Sequence, residues 1–194
     1  MNYGRLGSGL GTTFLAGLVA AGIVHILATF ATPQLVRPSA FDRIAEHLPI
    51  NSLVVFGQPG PDSQLVPYQE PDTSFAICHY DISNGPVLAN LVLPSGGWTL
   101  ALYSPAGDNF YVLPGRDQRS TTISALLVPA GDEVALPPVI QRPRGAAPTY
   151  IQVPEPTGLL VIRAPLKGES YRAEVEAVLS RASCGPARQP ANLQ

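Results

Sequence analysis

The chain has 194 residues, of which 45% are hydrophobic and only 13% are charged. From residue 38 to the end it carries 10 basic and 14 acidic residues, and this acidic balance argues against nucleic acid or anionic lipid as a partner. This part of about 150 residues is large enough for one hydrophobic core, and it holds 20 of the 21 prolines, which favours a loop-rich β-domain over long helices.

The N-terminal part is uncharged, because residues 6–36 contain no Lys, Arg, Asp or Glu. Its densest apolar part, residues 14–28, and the uncharged flanks supply the roughly 20 residues that a helix needs to cross about 30 Å of hydrocarbon. We predict a short tail over 1–5 and a transmembrane anchor over 6–36 that contacts the lipid bilayer. A cleaved signal peptide and a buried soluble helix are the alternatives. A signal peptide fits poorly, since its apolar region is only about 7 to 15 residues long.

The side of the membrane on which the domain lies does not follow from charge. Arg5 precedes the span while Arg37 and Arg43 follow it, so the basic residues near the span give no clear bias. Two cysteines occur, Cys78 and Cys184, and an isolated pair in a membrane-targeted chain is compatible with a disulfide formed in an oxidising compartment. The alternative is two buried free thiols.

A short amphipathic helix is predicted directly after the span. Ser39 and Asp42 have the spacing of a capping box at a helix start. Pro49 would end the helix, whose apolar face would pack on the domain just outside the membrane. The apolar residues at helical spacing are Phe41, Ile44, Ala45 and Leu48.

Beyond Pro49 the hydrophobic period changes to two, which indicates β-strands. Short strands at regular intervals are typical of a β-sandwich or a jelly-roll-like barrel, and we predict a mainly β fold. The first two strands are expected to pair, as are the last two, and residues 129–148 read as a long irregular connection. The predicted strands cover 53–56, 64–68, 74–82, 87–93, 98–104, 110–113, 121–128, 150–153 and 159–164.

A C-terminal helix over 167–183 is expected to close the domain, with Cys184, Gly185 and Pro186 as its stop. A disulfide would then tie the end of this helix to the strand that carries Cys78. The single β-rich domain would cover 39–185, followed by a disordered tail over 186–194. The apolar stripe of the helix consists of Tyr171, Val175, Val178, Leu179 and Ala182.

The densest motif, residues 98–111, predicts a β-hairpin. Pro105 presets one turn dihedral, and Gly107 can adopt a positive φ. Asp108 and Asn109 stand where side chains cap a turn through local backbone amides. The functional alternative is that Asp108, Asn109 and Tyr111 point into a groove and bind a polar ligand.

His79 and Asp81 form the strongest catalytic fragment. Two residues apart on one strand, they project from the same face, where a carboxylate could fix a histidine tautomer. No nucleophile elbow accompanies them, so the pair is more typical of a solvated strand face, and Asp81 could instead cap the following turn. The three histidines have no metal-ligand spacing, and we expect no metal, no cofactor and no catalytic residues.

Three segments together resemble a known family. They are residues 98–111, the strand around Cys78, and residues 153–164, and they look like an uncharacterised family of alphaproteobacterial membrane proteins known only as a domain of unknown function. The resemblance implies a lone N-terminal anchor and a small β-domain. Larger relatives fuse this domain to a second β-domain, and short members are accompanied by a separate small protein that carries the second part. The resemblance therefore implies a companion β-domain protein, and it supplies no catalytic residues.

These observations favour a single-pass protein of the bacterial inner membrane whose periplasmic β-domain is a non-enzymatic interaction module. The alternative is an envelope hydrolase or carbohydrate-processing enzyme that uses His79, Asp81 and Asp108. The two hypotheses differ in geometry, because an enzyme would gather these three side chains in one pocket.

Overall fold

The computed structural model of the full chain describes residues 4–35, 39–57, 69–131 and 148–187. The chain divides into two compact units, Met1–Ser39 and Ala40–Gln194. The first unit contains helix α1, Gly4–Leu35. Within it, Gly11–Thr32 is a 22-residue stretch of mean hydropathy 2.2, long and apolar enough to cross a membrane. The predicted apolar N-terminal helix is therefore confirmed.

The second unit begins with helix α2, Ala40–Ala45, directly after Ser39. The sequence predicts that this helix runs to Pro49, but it ends earlier. The amide of His47 donates to the carbonyl of Ile44, and that of Leu48 to Ala45, so the backbone tightens into i→i+3 turns after the helix. These turns carry Leu48 into a buried position.

Nine strands form the rest of the described fold, together with a short 3₁₀ turn, Glu169–Tyr171, and helix α3, Arg172–Leu179. The alternation of apolar side chains produces most of these strands at the positions that the sequence predicts. Their bounds are β1 Leu53–Phe56, β2 Thr73–Asp81, β3 Val87–Leu93, β4 Thr99–Tyr103, β5 Asn109–Pro114, β6 Thr121–Pro129, β7 Thr149–Val153, β8 Thr157–Pro165 and β9 Ser183–Pro186.

The strands form two sheets that share one hydrophobic core. A five-stranded antiparallel sheet has the order β1-β2-β8-β4-β5, and a four-stranded sheet has the order β7-β6-β3-β9 with a parallel β6–β7 pair. Leu100, Leu102 and Ile162 from the first sheet meet Val87 and Leu127 from the second, and all five are essentially inaccessible to solvent. The mainly β fold with a sandwiched core is confirmed.

The predicted pairing of the last two strands is wrong, because β7 pairs with β6 and β8 pairs with β2 and β4. Pro154 and Pro156 in the connection lack amide donors and cannot extend a hairpin ladder, so the chain crosses from one sheet to the other there. The predicted strand 64–68 lies outside the described residues, as does most of the long connection. Strand β1 pairs with β2.

The predicted C-terminal helix is also too long. Gly168 has φ 137°, which is not a helical conformation, and α3 ends at Leu179. The predicted helix stop is instead β9, which pairs with β3 from Val87 to Asn90. Pro186, assigned to the tail by the sequence, belongs to this strand, and residues 188–194 lie outside the described part of the chain.

Cys78 and Cys184 form a disulfide with a Cα–Cα distance of 6.4 Å. Cys78 lies on β2 of the five-stranded sheet and Cys184 on β9 of the four-stranded sheet. The predicted pairing is confirmed, but its position differs from the expectation. The bond joins the inner faces of the two sheets and does not join a helix end to a strand.

Candidate functional site

The outer face of the five-stranded sheet, turned away from the second sheet, carries the candidate site. Residues directly opposite each other on paired strands share a face. One cross-strand row consists of Ile77, Val161, Ala101 and Val112 on β2, β8, β4 and β5. The neighbouring row consists of His79, Leu159, Tyr103 and Asn109. The centre of this outer face is therefore apolar.

Helix α2 and the turn after it cover part of this face. Leu48, Ile77 and Leu159 are buried together there, in a cluster separate from the core between the sheets. Burial of such side chains contributes about 25 cal/mol per Å² of apolar surface. The partly buried side chains packed against the cluster are Phe41, Ile44, Val54, Phe56, Phe75, Tyr103 and Val161.

A groove of about 300 Å³ remains between α2 and the sheet, and we call it the α2 groove. Phe41 and Ile44 of the helix line one side, and side chains of β2, β8 and β4 line the other. None of the described lining residues is charged. They are Ala40, Phe41, Ile44, Gln69, Phe75, Ile77, Tyr103, Ser104, Gly107, Leu159 and Val161.

His79 lies beside the groove and is half-buried. Its ring meets that of Phe41 edge to face, with the ring centroids 5.4 Å apart. The Nδ1 atom is buried and has no hydrogen-bond partner in the described part of the chain. Burial lowers the pKa of His79 and outweighs the opposing attraction of Asp81. The lowered pKa favours the neutral imidazole, and the ring packs against Phe41, whereas the sequence favours a solvated position.

Asp81 acts as a turn cap, which is the structural alternative that the sequence offers for it. Its Oδ1 atom accepts a hydrogen bond from the amide of Ser83 at 2.8 Å. Hydrogen bonding by Ser83 lowers the pKa of Asp81 and favours the carboxylate. The side chain of Asn51 pairs with the backbone N–H and C=O of Asp81, at 2.8 and 2.9 Å.

The β4–β5 turn holds the remaining predicted site residues. Gly107 has φ 92°, as the hairpin prediction requires, and its amide donates to the carbonyl of Ser104. The Ser104 hydroxyl oxygen accepts a hydrogen bond from the amide of Asp108 at 3.2 Å. Asn109 is exposed on the outer face opposite Tyr103, whereas Tyr111 lies opposite Leu102 and faces the core side.

The structure brings His79 and Asp81 onto one face of β2, but it does not bring Asp108 to them. Strands β8 and β4 separate β2 from β5, so the two ends of the row from His79 to Asn109 are about 14 Å apart at ~4.8 Å per strand. Within the described ranges no group of three or more His, Cys, Asp or Glu side chains could hold a metal ion.

Two features of the structure were not found by reasoning from the sequence. Val161 and Tyr103 line the groove, and the unbroken apolar run 159–162 on β8 is the signal that both faces of this strand are covered.

The second feature is a close approach in the core. Gly158 lies opposite Tyr80, where an added Cβ would overlap the tyrosine hydroxyl. A glycine inside a strand pattern indicates such a close approach. Burial raises the pKa of Tyr80.

The fold and the site define a small β-sandwich domain, cross-linked by one disulfide and preceded by an apolar helix. A family model described as "Protein of unknown function (DUF1254)" matches residues 50–186. The chain belongs to this family. No curated protein matches its sequence.

Solved structures that resemble the chain include two bacterial proteins. The VPA0106 protein from Vibrio parahaemolyticus has a TM-score of 0.54 and 12% identity, over 80% of this chain and 38% of that one. An uncharacterized protein from Burkholderia cenocepacia has a TM-score of 0.43 and 11% identity, over 94% of this chain and 54% of that one. The chain thus spans between about two fifths and about half of the length of these proteins. The Vibrio structure is similar in fold.

Proposed function

We propose that this protein is a single-pass protein of the bacterial inner membrane whose β-domain lies in the periplasm and binds a companion β-domain protein without catalysing a reaction. The long apolar helix supports the anchor, and the disulfide between the sheets supports an oxidising compartment. The resemblance of the sequence to alphaproteobacterial membrane proteins supports the bacterial envelope and the companion.

A binding role is favoured over catalysis by the spacing of the polar side chains. His79 contacts Phe41, and Asp81 caps its own turn. Asp108 belongs to a turn beyond two intervening strands. A hydrolase needs its acid, base and nucleophile within hydrogen-bond reach of one substrate.

The observation that carries the proposal is the open edge of β5. In the described sheets β5 pairs with β4 alone, and with six residues it is the longest edge strand. Val112 on this strand is 53% exposed. Phe110 is the extra residue of a bulge, which disturbs the ladder only near the turn. An edge strand offers unpaired N–H and C=O groups to which a partner can add a strand.

Photo-crosslinking from the β5 edge tests the proposal. The full chain, in its own membrane, carries a photoreactive amino acid in place of Val112, and the matched control carries it in place of Ile50, which is 59% exposed. We expect Val112 to give one adduct with a second polypeptide of β-rich fold, identified by mass spectrometry, and Ile50 to give none.

Binding of that polypeptide is then measured with two charged variants. Val112→Lys should weaken binding about tenfold or more, because a lysine discourages strand addition at an edge, and Ile50→Lys should leave it unchanged. The absence of an adduct at Val112, or an adduct only with a second copy of this chain, contradicts the proposal.

A further inference from the structure

The α2 groove has a chemistry that restricts its ligand. Its described lining is mainly aromatic and aliphatic, with Gln69 and Ser104 as neutral polar residues, and it has no charged group. Phe41 and Ile44 face Ile77, Leu159 and Val161 across it, so a ligand would be in contact with apolar surface on two sides. A charged ligand would lose its hydration there without gaining a partner of opposite charge among the described lining residues. The ligand must therefore be apolar over the length that the groove encloses.

The size of the groove restricts the ligand further. One turn of an α-helix, about 10 Å across and 5.4 Å tall, occupies roughly 400 Å³, which is more than the 300 Å³ of the groove. A row of methylene groups fits better, since the groove holds roughly ten groups of about 30 Å³, the volume that a water molecule occupies in the liquid. A volume near 300 Å³ is also the lower limit for small-molecule sites.

The sequence supplies a source for such a ligand. Helix α1 contains the stretch that is long and apolar enough to cross a membrane, and it ends at Leu35. Helix α2, which forms one wall of the groove, begins at Ala40, so four residues separate the two helices in the chain. With α1 as the proposed anchor, bilayer phospholipid is the most abundant source of apolar chains for a domain that follows it in sequence.

We propose that the α2 groove binds one acyl chain of a bilayer phospholipid. The chain inserts between Phe41 and Ile44 on one side and Ile77 and Val161 on the other. This binding rests on the proposed membrane anchor but not on the proposed companion, because the companion is placed at the β5 edge and the lipid at the α2 groove.

Photolabelling of the reconstituted full chain tests this inference. The chain is placed in phosphatidylcholine vesicles that contain a phosphatidylcholine with a diazirine at the end of one acyl chain. After illumination, adducts are mapped by mass spectrometry. We expect label on α1 and, in addition, on the groove segments of β2 and β8.

Two phenylalanine substitutions in the same cross-strand row provide a matched comparison. Val161 lines the groove, whereas Val112 lies in the same row outside it. Val161→Phe should fill the groove and lower the β2 and β8 label about tenfold relative to the α1 label, while Val112→Phe should change it by less than about twofold. An intact disulfide, read from electrophoresis without reductant, shows that each variant is folded.

Ala40→Phe is a second filling variant, because Ala40 lines the groove at an exposed position and its substitution spares the sheet. It should lower the sheet label in the same way even if Val161→Phe does not fold. Three results would overturn the inference: label confined to α1, sheet label that neither Ala40→Phe nor Val161→Phe reduces, or sheet label obtained from free diazirine-palmitate but not from the phospholipid.

Discussion

The two faces of the five-stranded sheet both carry apolar side chains at their centre, but they are covered to very different degrees. The inner face carries Cys78, Leu100 and Ile162, which are fully buried against the second sheet. The outer face carries Ile77, Val161 and Val112, and α2 covers only part of it. A sheet with one solvated face normally alternates apolar and polar residues. The outer face departs from that pattern along the row of Ile77, Val161 and Val112. The inner face maintains the fold, and the outer face contains the groove to which we assign the acyl chain.

The largest expected loss of stability follows from removal of the disulfide on the inner face. Replacing Cys78 and Cys184 together by alanine releases a loop closed over a sequence separation of 106 residues. We expect the free energy of unfolding to fall by about 5 kcal/mol in the chain-entropy model. Urea unfolding of the full chain in detergent measures this loss. An unchanged midpoint would show that the bond between the sheets does not stabilise the domain.

Substitutions at two neighbouring residues of β8 allow the contributions of the two faces to stability to be compared directly. Leu160 is 1% exposed on the inner face, and Val161 is half-buried on the outer face. Leu160→Ala should cost about 3 kcal/mol of stability, since it leaves a cavity in the core, and Val161→Ala only about 1 kcal/mol. Equal losses in urea unfolding would mean that the outer face is packed as tightly as the core, contrary to an open groove.

Gly158 tests how closely the inner face is packed. A methyl group there would overlap the Tyr80 hydroxyl and the backbone oxygen of Tyr103, so Gly158→Ala should destabilise the domain by about 2 kcal/mol. Gly57→Ala is the matched control, because an added Cβ meets nothing within 4 Å there. Thermal unfolding of both variants checks the difference. A neutral Gly158→Ala would refute the close approach of Tyr80.

The smallest expected effect is the response of the outer face to pH. Burial lowers the pKa of folded His79, so its contribution to stability is complete above the unfolded pKa of about 6.5 and is lost as pH falls towards the folded value. Asp81, whose pKa is lowered by Ser83, likewise loses its contribution on acidification, but below its unfolded pKa of 3.8. The two groups therefore act in separate pH ranges.

His79→Phe keeps a ring against Phe41 and removes the titrating group. It should flatten the change in unfolding midpoint between about pH 7 and pH 5, while substitution of the exposed His47 by Gln should not. A pH dependence that survives in His79→Phe would show that a different group is responsible.

The sequence predicts the positions of the strands better than it predicts which strands pair with each other. Alternation identifies nearly all of the described strands because side-chain direction is a local property. The partner of β7 depends instead on where Pro154 and Pro156 carry the chain, and this is set by the whole sandwich. Cys184 reads as a helix stop in sequence, yet pairing with β3 and the bond to Cys78 make it part of a strand.

The site was harder to predict than the fold. His79 and Asp81 attract attention as ionisable residues, but one is packed on Phe41 and the other caps a turn. Val161 and Tyr103 have no distinctive chemistry in sequence, and only the packing of α2 makes them walls of a groove. The apolar run on β8 shows that both faces of the strand are covered. It does not show that α2 is the element that covers the outer face.

The most direct test of the account is the acyl-chain label on Val161→Phe protein whose disulfide and unfolding midpoint match those of the natural chain. If the outer face binds and the inner face stabilises, the label on β2 and β8 should fall about tenfold while the label on α1 stays the same. Undiminished label on β2 and β8 in this folded protein would contradict the division of roles between the two faces.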